Sequence, residues 1–503
     1  MTTPWDDLTT LRTLTGPSAT PGLPDEVILP FLVHDADLQD AVRAALAEAR
    51  DLARRGELAD LTTGDEDAVC AGLQDGFLNF YGAAARSPYV PLAARGPWIV
   101  TTRGAVVHDS GGYGMLGLGH APAAVVEALA KPWVMANVMT PSVSQQRFAA
   151  ALRAEIGHTR GGCPYDRFIC LNSGSESVTM AARITDLHAF TQTTSGAPHE
   201  GKTIKYLSLA GGFHGRTDPA ARISGSTLAT YKSHLASFRG RDQLILVEPN
   251  DTVGLEQAFA RAAAHGIFFE GFFIEPVMGE GEPGLALTPE YYDLARRLTR
   301  EHGALLVCDS IQAGFRATGH LSLVDYPGFE NSEAPDLETF SKALNAGQYP
   351  LSVLALSGAA AALYRTGVYG NTMTTCPRAL EVGCAVLGAM EDGLRQNIRA
   401  RGEQLRAELA ALADTFGELV AGVEGTGLMV NIELDPVLCP VNGVGGLEEK
   451  LRRRGIHMIH GGRNGLRFTP HFAITAAEIS MIVAAVAGVL KEQVGQAMAA
   501  QAS

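Results

Sequence analysis

The sequence predicts an α/β protein built on a large, mainly parallel sheet sandwiched between helices, with a smaller α+β domain assembled from the flanks. Two observations carry this. In the middle of the chain, short apolar runs of strand length alternate with longer helical patterns. The runs lack a polar alternation, as expected of strands buried on both faces. Length is the other observation: 503 residues exceed what one core usually reaches, about 250–300, so at least two domains are expected.

The expected strands are Arg167–Leu171, Ile204–Leu209, Leu244–Val247, Phe272–Glu275, Ala304–Cys308 and Leu351–Leu356. Helical spacing marks Glu176–Phe190, Leu255–Ala264 and Pro289–His302 between them. From Cys376 a long helical pattern leads to Thr415. Strand-like pieces follow near Leu428–Leu434 and Leu466–Thr469, then a final helix from about Ala476 to Gln493. At the other end, Asp37–Gly56 and a stretch near Ala68–Tyr81 have helical spacing, and Pro88, Pro91, Gly96 and Pro97 punctuate the chain as a boundary would. The expected division is an N-terminal helical extension over 1–94, the first part of the small domain with a linker over 95–150, the large domain over 151–370, and the rest of the small domain, with its connecting helix, over 371–503.

Composition narrows the function. With 46% hydrophobic and 19% charged residues the chain has ordinary globular composition. A formal net charge of −14 argues against nucleic-acid and anionic-membrane partners, since both demand a basic face. No apolar run approaches the ~20 residues that span a bilayer, and the N-terminus lacks the basic-then-apolar pattern of a secretory signal. The seven cysteines include no CxxC pair, which predicts reduced thiols in a cytoplasm and no metal site.

In such a sheet, ligands sit beyond the carboxyl ends of the strands. Three ends deliver polar residues there: Asn172-Ser-Gly-Ser-Glu-Ser, Glu275-Pro-Val-Met-Gly-Glu and Asp309-Ser-Ile-Gln. The first turns straight into a helix, whose free N–H groups and positive dipole end suit a phosphate; plain helix capping by Ser173 or Ser175 is the alternative. Lys342 lies in Thr339-Phe-Ser-Lys-Ala-Leu, among apolar neighbours. A lysine in an apolar pocket has a lowered pKa and attacks carbonyls to form a Schiff base. Pyridoxal-phosphate chemistry requires a lysine, a carboxylate for the ring nitrogen and a phosphate anchor, and all three are present in a workable order.

The motifs as a set resemble the class III (ω- or ornithine-type) aminotransferases. Asp309-Ser-Ile-Gln-Ala-Gly-Phe-Arg-Ala-Thr-Gly, then Pro335-Asp-Leu-Glu-Thr-Phe-Ser-Lys342-Ala-Leu, resembles their signature. Asn172-Ser-Gly-Ser-Glu-Ser, Phe213-His-Gly-Arg-Thr, Glu275-Pro-Val-Met-Gly-Glu, Gly370-Asn-Thr-Met and Gly425-Thr-Gly-Leu-Met follow the family's other segments in order, over roughly 95–490. The resemblance implies a fold type I enzyme that uses pyridoxal 5′-phosphate. Catalytic roles fall to Lys342, as the Schiff-base lysine, and Asp309, as partner of the pyridinium nitrogen. Gln312 would lie near the cofactor's 3′-oxygen and Phe213 would stack on its ring, with His214 beside it. Ser173, Gly174 and Ser175 would hold the phosphate, and Thr372 would reach the phosphate in the neighbouring subunit of an obligate homodimer. Arg467 would bind a substrate carboxylate, with Glu280 able to mask it. The substrates would be small amines and keto acids or aldehydes.

Some positions depart from the family pattern. Ser310 stands where a glutamate usually follows the cofactor aspartate, Ala313 and Ala317 replace a threonine and an arginine, and Arg316 sits one place early. Arg183 and Glu424 differ as well. These changes spare the cofactor anchors. They leave a second reading open at this point: racemisation, decarboxylation or carbon–carbon bond formation on the same cofactor, in a specialised biosynthetic enzyme. The long N-terminal extension would cover the active-site mouth or extend the dimer.

Overall fold

The computed structural model describes residues 3–82 and 85–501, with side chains through 495. The chain divides into two compact units, one formed by Ala124–Arg399 and the other by Met1–Ala123 with Ala400–Ser503. Segments 124–150 and 371–399 thus cluster with the central unit.

The central unit holds a seven-stranded sheet. Its strands are β1 (Arg167–Leu171), β2 (Thr203–Leu209), β3 (Leu244–Val247), β4 (Ile267–Ile274), β5 (Leu305–Asp309), β6 (Leu337–Phe340) and β7 (Ser352–Leu356). The order across the sheet is β1-β7-β6-β5-β4-β2-β3. All pairings are parallel except those of β7, which runs against both β1 and β6. The inner strands β5, β6 and β7 are buried throughout, whereas the edge strands β1 and β3 are partly exposed. That gradient explains why β5 and β7 read as nearly unbroken apolar runs.

The helix Gly174–Thr193 follows β1 and lays Val178, Ala181 and Ile184 on Phe273, Val307 and Leu354 of the sheet. Pro289–His302 starts with Thr288 accepting the Tyr291 amide, has proline at its first position and ends at left-handed Gly303. Each of these is a residue-level stop or start signal. The pattern from Cys376 to Thr415 is not continuous: Pro377–Ala389 stops at Met390 and Asp392–Ala410 starts afresh.

The second unit contains two four-stranded sheets. Pro91–Arg95, Trp98–Thr101 and Val106–Asp109 form an antiparallel meander, with Ile456–His457 added in parallel. The boundary-like cluster around Gly96 is thus a hairpin turn. Gly96 takes φ +50, and a Cβ there would run into the Asp37 carboxylate. Val420–Thr426, Met429–Leu434, Gly465–Phe468 and Ile459–Gly461 make the other sheet, antiparallel throughout. Among its described residues the N-terminal stretch holds the α-helices Pro4–Thr15, Asp25–His34, Ala36–Arg55, Leu58–Thr62 and Glu66–Leu73. The last ends earlier than its spacing predicts. The final helix runs over Ala476–Gln501. Among the described residues no helix is long and apolar enough to cross a membrane, and the seven cysteines are unpaired.

One buried carboxylate gives the central unit a pH-dependent cost. Glu270 sits inside β4 and accepts a hydrogen bond from Thr185 at 3.3 Å. Burial, with Asp186 nearby, pushes its carboxyl from 4.5 up to about 8. The folded protein therefore holds a proton that the unfolded chain releases. The stability this contributes is complete below pH 4.5 and lost as pH rises through about 8. Glu270→Gln is expected to raise the melting temperature by a few degrees at pH 8.5, with the gain vanishing near pH 4.5. Melting curves of both proteins across that range check this, and an unchanged difference at every pH contradicts it.

Candidate active site

The parallel strands bring their carboxyl ends to one edge, and the polar residues collect there. Asp309 is the last residue of β5, and Thr339 of β6 lies directly opposite it. Lys342 follows three residues after Thr339. Glu275 comes immediately after β4, and Phe213 and His214 lie on the loop after β2.

Asp309 is buried and held by three donors. His214 Nδ1 donates to its Oδ2 at 2.8 Å; the Ile311 amide and the Thr339 hydroxyl donate to Oδ1 at 3.1 and 3.2 Å. His214 is fixed in turn by Ser208, 3.2 Å from Nε2, and by its own amide donating to Ser224 at 2.8 Å. Burial opposes a charged imidazole at His214. The hydrogen bond and charge of Asp309, with the charge of Glu275, overcome this and hold its pKa above the ordinary value. Glu275 accepts the Phe213 amide at 2.8 Å and the Gly279 amide at 2.9 Å. Burial pushes its carboxyl up to about 7, against the pull of His214. The arrangement is a chain of carboxylate, imidazole and hydroxyl whose end, Asp309, is kept oriented by groups that cannot rotate away.

Lys342 opens the 3-10 turn Lys342–Asn345 with φ +42, so the chain reverses sharply as it leaves β6. Its ammonium donates to Gln312 Oε1. Gln312 is buried, and its Nε2 finds no acceptor among the described residues.

The third component is the N-terminus of the helix Gly174–Thr193. Ser173 caps it by accepting the Glu176 amide at 3.3 Å, while Glu176 accepts the amides of Asn172 and Ser173 at 2.8 and 3.2 Å. This capping box is the local reason the chain turns here. It leaves the amides of Gly174 and Ser175 without an intrahelical acceptor, the usual state of a first turn. A Cβ at Gly174 would sit 2.8 Å from Ile311 Cδ1, so glycine lets the turn pack against the loop that carries Asp309. The Phe213 loop packs on the same turn: the Arg216 amide donates to Ser175 Oγ and the Thr217 hydroxyl to the Ser175 carbonyl, each at 3.3 Å. The Arg216 guanidinium lies 5.4 Å from the centre of the Phe213 ring.

Thr372, Glu280 and Arg467 are also singled out by sequence. Thr372 is exposed, and its carbonyl accepts from Asn137 at 3.2 Å. Its neighbour Asn371 donates to Glu176 at 2.8 Å, which ties that turn to the helix cap. Glu280 is half-buried in the turn after Glu275. Arg467 belongs to the other unit, where it is buried on the strand Gly465–Phe468 opposite Asn431.

Sequence reasoning missed Glu338. This fully buried residue of β6 accepts from Ser310 Oγ at 2.6 Å, from Tyr165 at 2.7 Å, from the Leu323 amide at 2.9 Å and from Ser322. A carboxylate of the adjacent strand thus accepts from the serine at position 310. The available signal was a glutamate within the short run Leu337–Phe340, together with a serine at 310 where a glutamate was expected.

The donor set fits pyridoxal 5′-phosphate. It offers an amine at Lys342, a carboxylate held by an imidazole, an unsatisfied amide nitrogen on Gln312, and free helix N–H groups beside a glycine that leaves no room for a side chain. The known proteins agree. Residues 81–490 match the family described as Aminotransferase class-III. The acetylornithine aminotransferase of Mesorhizobium japonicum is 30% identical over 409 residues, covering 79% of this chain and 92% of that protein. That of Streptomyces coelicolor is 32% identical over 329 residues, covering 64% and 72%. Among solved structures, an ornithine aminotransferase from Toxoplasma gondii, with partial occupancy of PLP at its active site, superposes with TM-score 0.72. It is 23% identical and covers 88% of this chain and 99% of its own. An (S)-enantioselective ω-transaminase from Thermomicrobium roseum gives TM-score 0.71 at 22% identity, covering 86% and 99%.

Proposed function

Because the chain belongs to the class III aminotransferases, and is therefore a fold type I, pyridoxal-phosphate-dependent enzyme moving amino groups between small amino and keto substrates, we propose the following division of labour. The cofactor, when bound, supplies an electron sink for charge developing at the substrate carbon. Lys342 Nζ anchors it covalently and afterwards takes up and returns the proton of that carbon. Asp309 presents a fixed carboxylate to the ring nitrogen, kept in place by His214 and Thr339. Gln312 meets the 3′-oxygen with the amide nitrogen that has no other acceptor among the described residues. Phe213 covers one ring face, and Ser173, Gly174 and Ser175 hold the phosphate. The observation that carries this reading is the convergence of Lys342, Gln312, Asp309 and the Gly174 turn on one edge of the sheet.

The amino substrate is proposed to be a carboxylate-bearing amino acid gripped bidentately by Arg467, with Glu280 as the group that masks Arg467 when a side-chain amine reacts. Two kinds of relative are named for ornithine and acetylornithine, which supports a diamino acid or its N-acyl form as the donor. The test is to incubate holoenzyme with ornithine, N-acetylornithine or glutamate and 2-oxoglutarate or the matching aldehyde as acceptor. Amine transfer from at least one of them is expected, with Arg467→Ala lowering kcat/KM about 10–100-fold. Turnover of none of them sinks the substrate assignment.

The working form is proposed to be a homodimer in which Thr372 reaches the partner's phosphate. Val134, Met135, Val138, Met139 and Met373 are exposed on the central unit, and Asn137, Val138 and Met139 share with Thr372 the wall of a cavity of about 990 Å³. Exposed apolar surface of this kind marks an interaction site. Light scattering on the eluting protein is expected to give twice the chain mass; the mass of one chain contradicts the dimer.

A further inference from the structure

The N-terminal stretch that precedes the family match builds a cavity of its own. It measures about 1020 Å³ and is walled by residues from Arg12 to Val27, by Arg103–Ala105, and by one face of the helix Ala476–Gln501 with Arg454. All of its wall belongs to the second unit, and none of it to the candidate active site. Its size is at the upper end for small-molecule sites, which run to about 1,000 Å³.

The wall is preformed. The Gly22 amide donates to the Arg453 carbonyl and the Leu23 amide to the Val106 carbonyl, each at 2.9 Å. A Cβ at Gly22, which takes φ +70, would lie 2.7 Å from the Val106 oxygen. A ligand therefore meets a loop already pinned and spends little on ordering it. Leu23, Val27 and Met481 give the cavity apolar surface, and Ala484, Ala485 and Gly488 keep the helix side shallow.

Three arginines line it, and one differs from the others. Arg12 pairs with Asp25 at 2.8 Å, and Arg454 pairs with Glu492; both acids also stand in the wall. Arg103 is 7% exposed and donates only to backbone, to the Pro17 carbonyl at 3.1 Å and the Gly64 carbonyl at 2.9 Å. Its Nε has no acceptor, and among the described residues no carboxylate pairs with it. Carbonyls satisfy N–H groups but leave a buried charge uncompensated. An anion on an apolar body answers both features of the cavity. We propose that this cavity binds a small amphipathic anion, a carboxylate or phosphate ester with an apolar tail, with Arg103 as its charge partner.

Calorimetry on the holoenzyme with octanoate, octyl phosphate, inorganic phosphate and octanol tests it. Trp5 fluorescence serves as a local readout, because the Arg12 guanidinium lies 5.9 Å from the Trp5 ring. Saturable binding of octanoate or octyl phosphate is expected, with octanol at least about tenfold weaker, as the loss of a charge-assisted contact implies. Which of the two anions binds tells a carboxylate ligand from a phosphate ester. Arg103→Gln is expected to weaken binding by a similar factor. Gly488→Phe is expected to abolish it with folding intact, since a Cβ at that position meets nothing within 4 Å. A carboxylate can also enter the amino-transfer site, so binding that survives Gly488→Phe counts against the proposal. So do the absence of saturable binding and octanol binding as tight as that of octanoate.

Discussion

Lys342→Ala is expected to lower turnover by at least about four orders of magnitude, because one substitution removes both the covalent anchor and the group that moves the proton. The fold is expected to survive. Lys342 is only half-buried, and the Gln312 side chain to which it donates is neutral. Its φ of +42 strains alanine about as much as lysine. Equal melting temperatures alongside lost activity would place the residue in the chemistry. Lys342→Arg keeps the positive charge but not a nucleophilic amine, and is expected to be as inactive as Lys342→Ala. A Lys342→Arg enzyme with substantial turnover contradicts the assignment.

Asp309→Asn is expected to cost roughly two to three orders of magnitude in kcat, the usual scale for removing a preorganised charge from an active site. The amide preserves the shape of the carboxylate and can still accept from Ile311 or Thr339. What it loses is the negative charge. His214 reports on that loss: Asp309 is the main influence raising its pKa against burial, so the variant's imidazole is expected to titrate lower. The linkage has a definite sign. In the native protein the raised pKa contributes stability that is complete below His214's ordinary value near 6.5 and lost as pH rises through the folded value. That contribution is expected to disappear in Asp309→Asn. NMR titration of His214 together with kcat against pH checks both halves; an unchanged His214 titration shows that Asp309 does not control it.

Sequence spacing anticipated the fold class and most strands of the central sheet, but it missed parts of the frame. Asp309 and the Gly174 turn lie at ends of elements that short-range pattern finds, whereas Lys342 stands out only by its apolar neighbours and the family resemblance. The strand β6 escaped notice because Glu338 interrupts its apolar run, and that glutamate is tolerated only through donors from residues 165, 310, 322 and 323. No local pattern encodes such long-range pairing. The N-terminal helices Pro4–Thr15 and Asp25–His34 were missed for a similar reason. They are short, one carries Pro30 internally, and isolated helices of that length depend on packing more than on propensity. The hairpin around Gly96 looked like a linker because its turn residues are those of any loop. The two short pieces Ile456–His457 and Ile459–Gly461 belong to different sheets, a division no periodicity reveals.

The central claim is that Lys342 carries the cofactor within a site made by Asp309, Gln312 and the Gly174 turn. Borohydride reduction of the purified holoenzyme, followed by peptide mapping with mass spectrometry, tests it most directly. The account predicts the pyridoxyl mass on the peptide containing Lys342, and its absence from that peptide when excess amino donor is added before reduction. A label on another lysine, or no label on a cofactor-loaded protein, would contradict it.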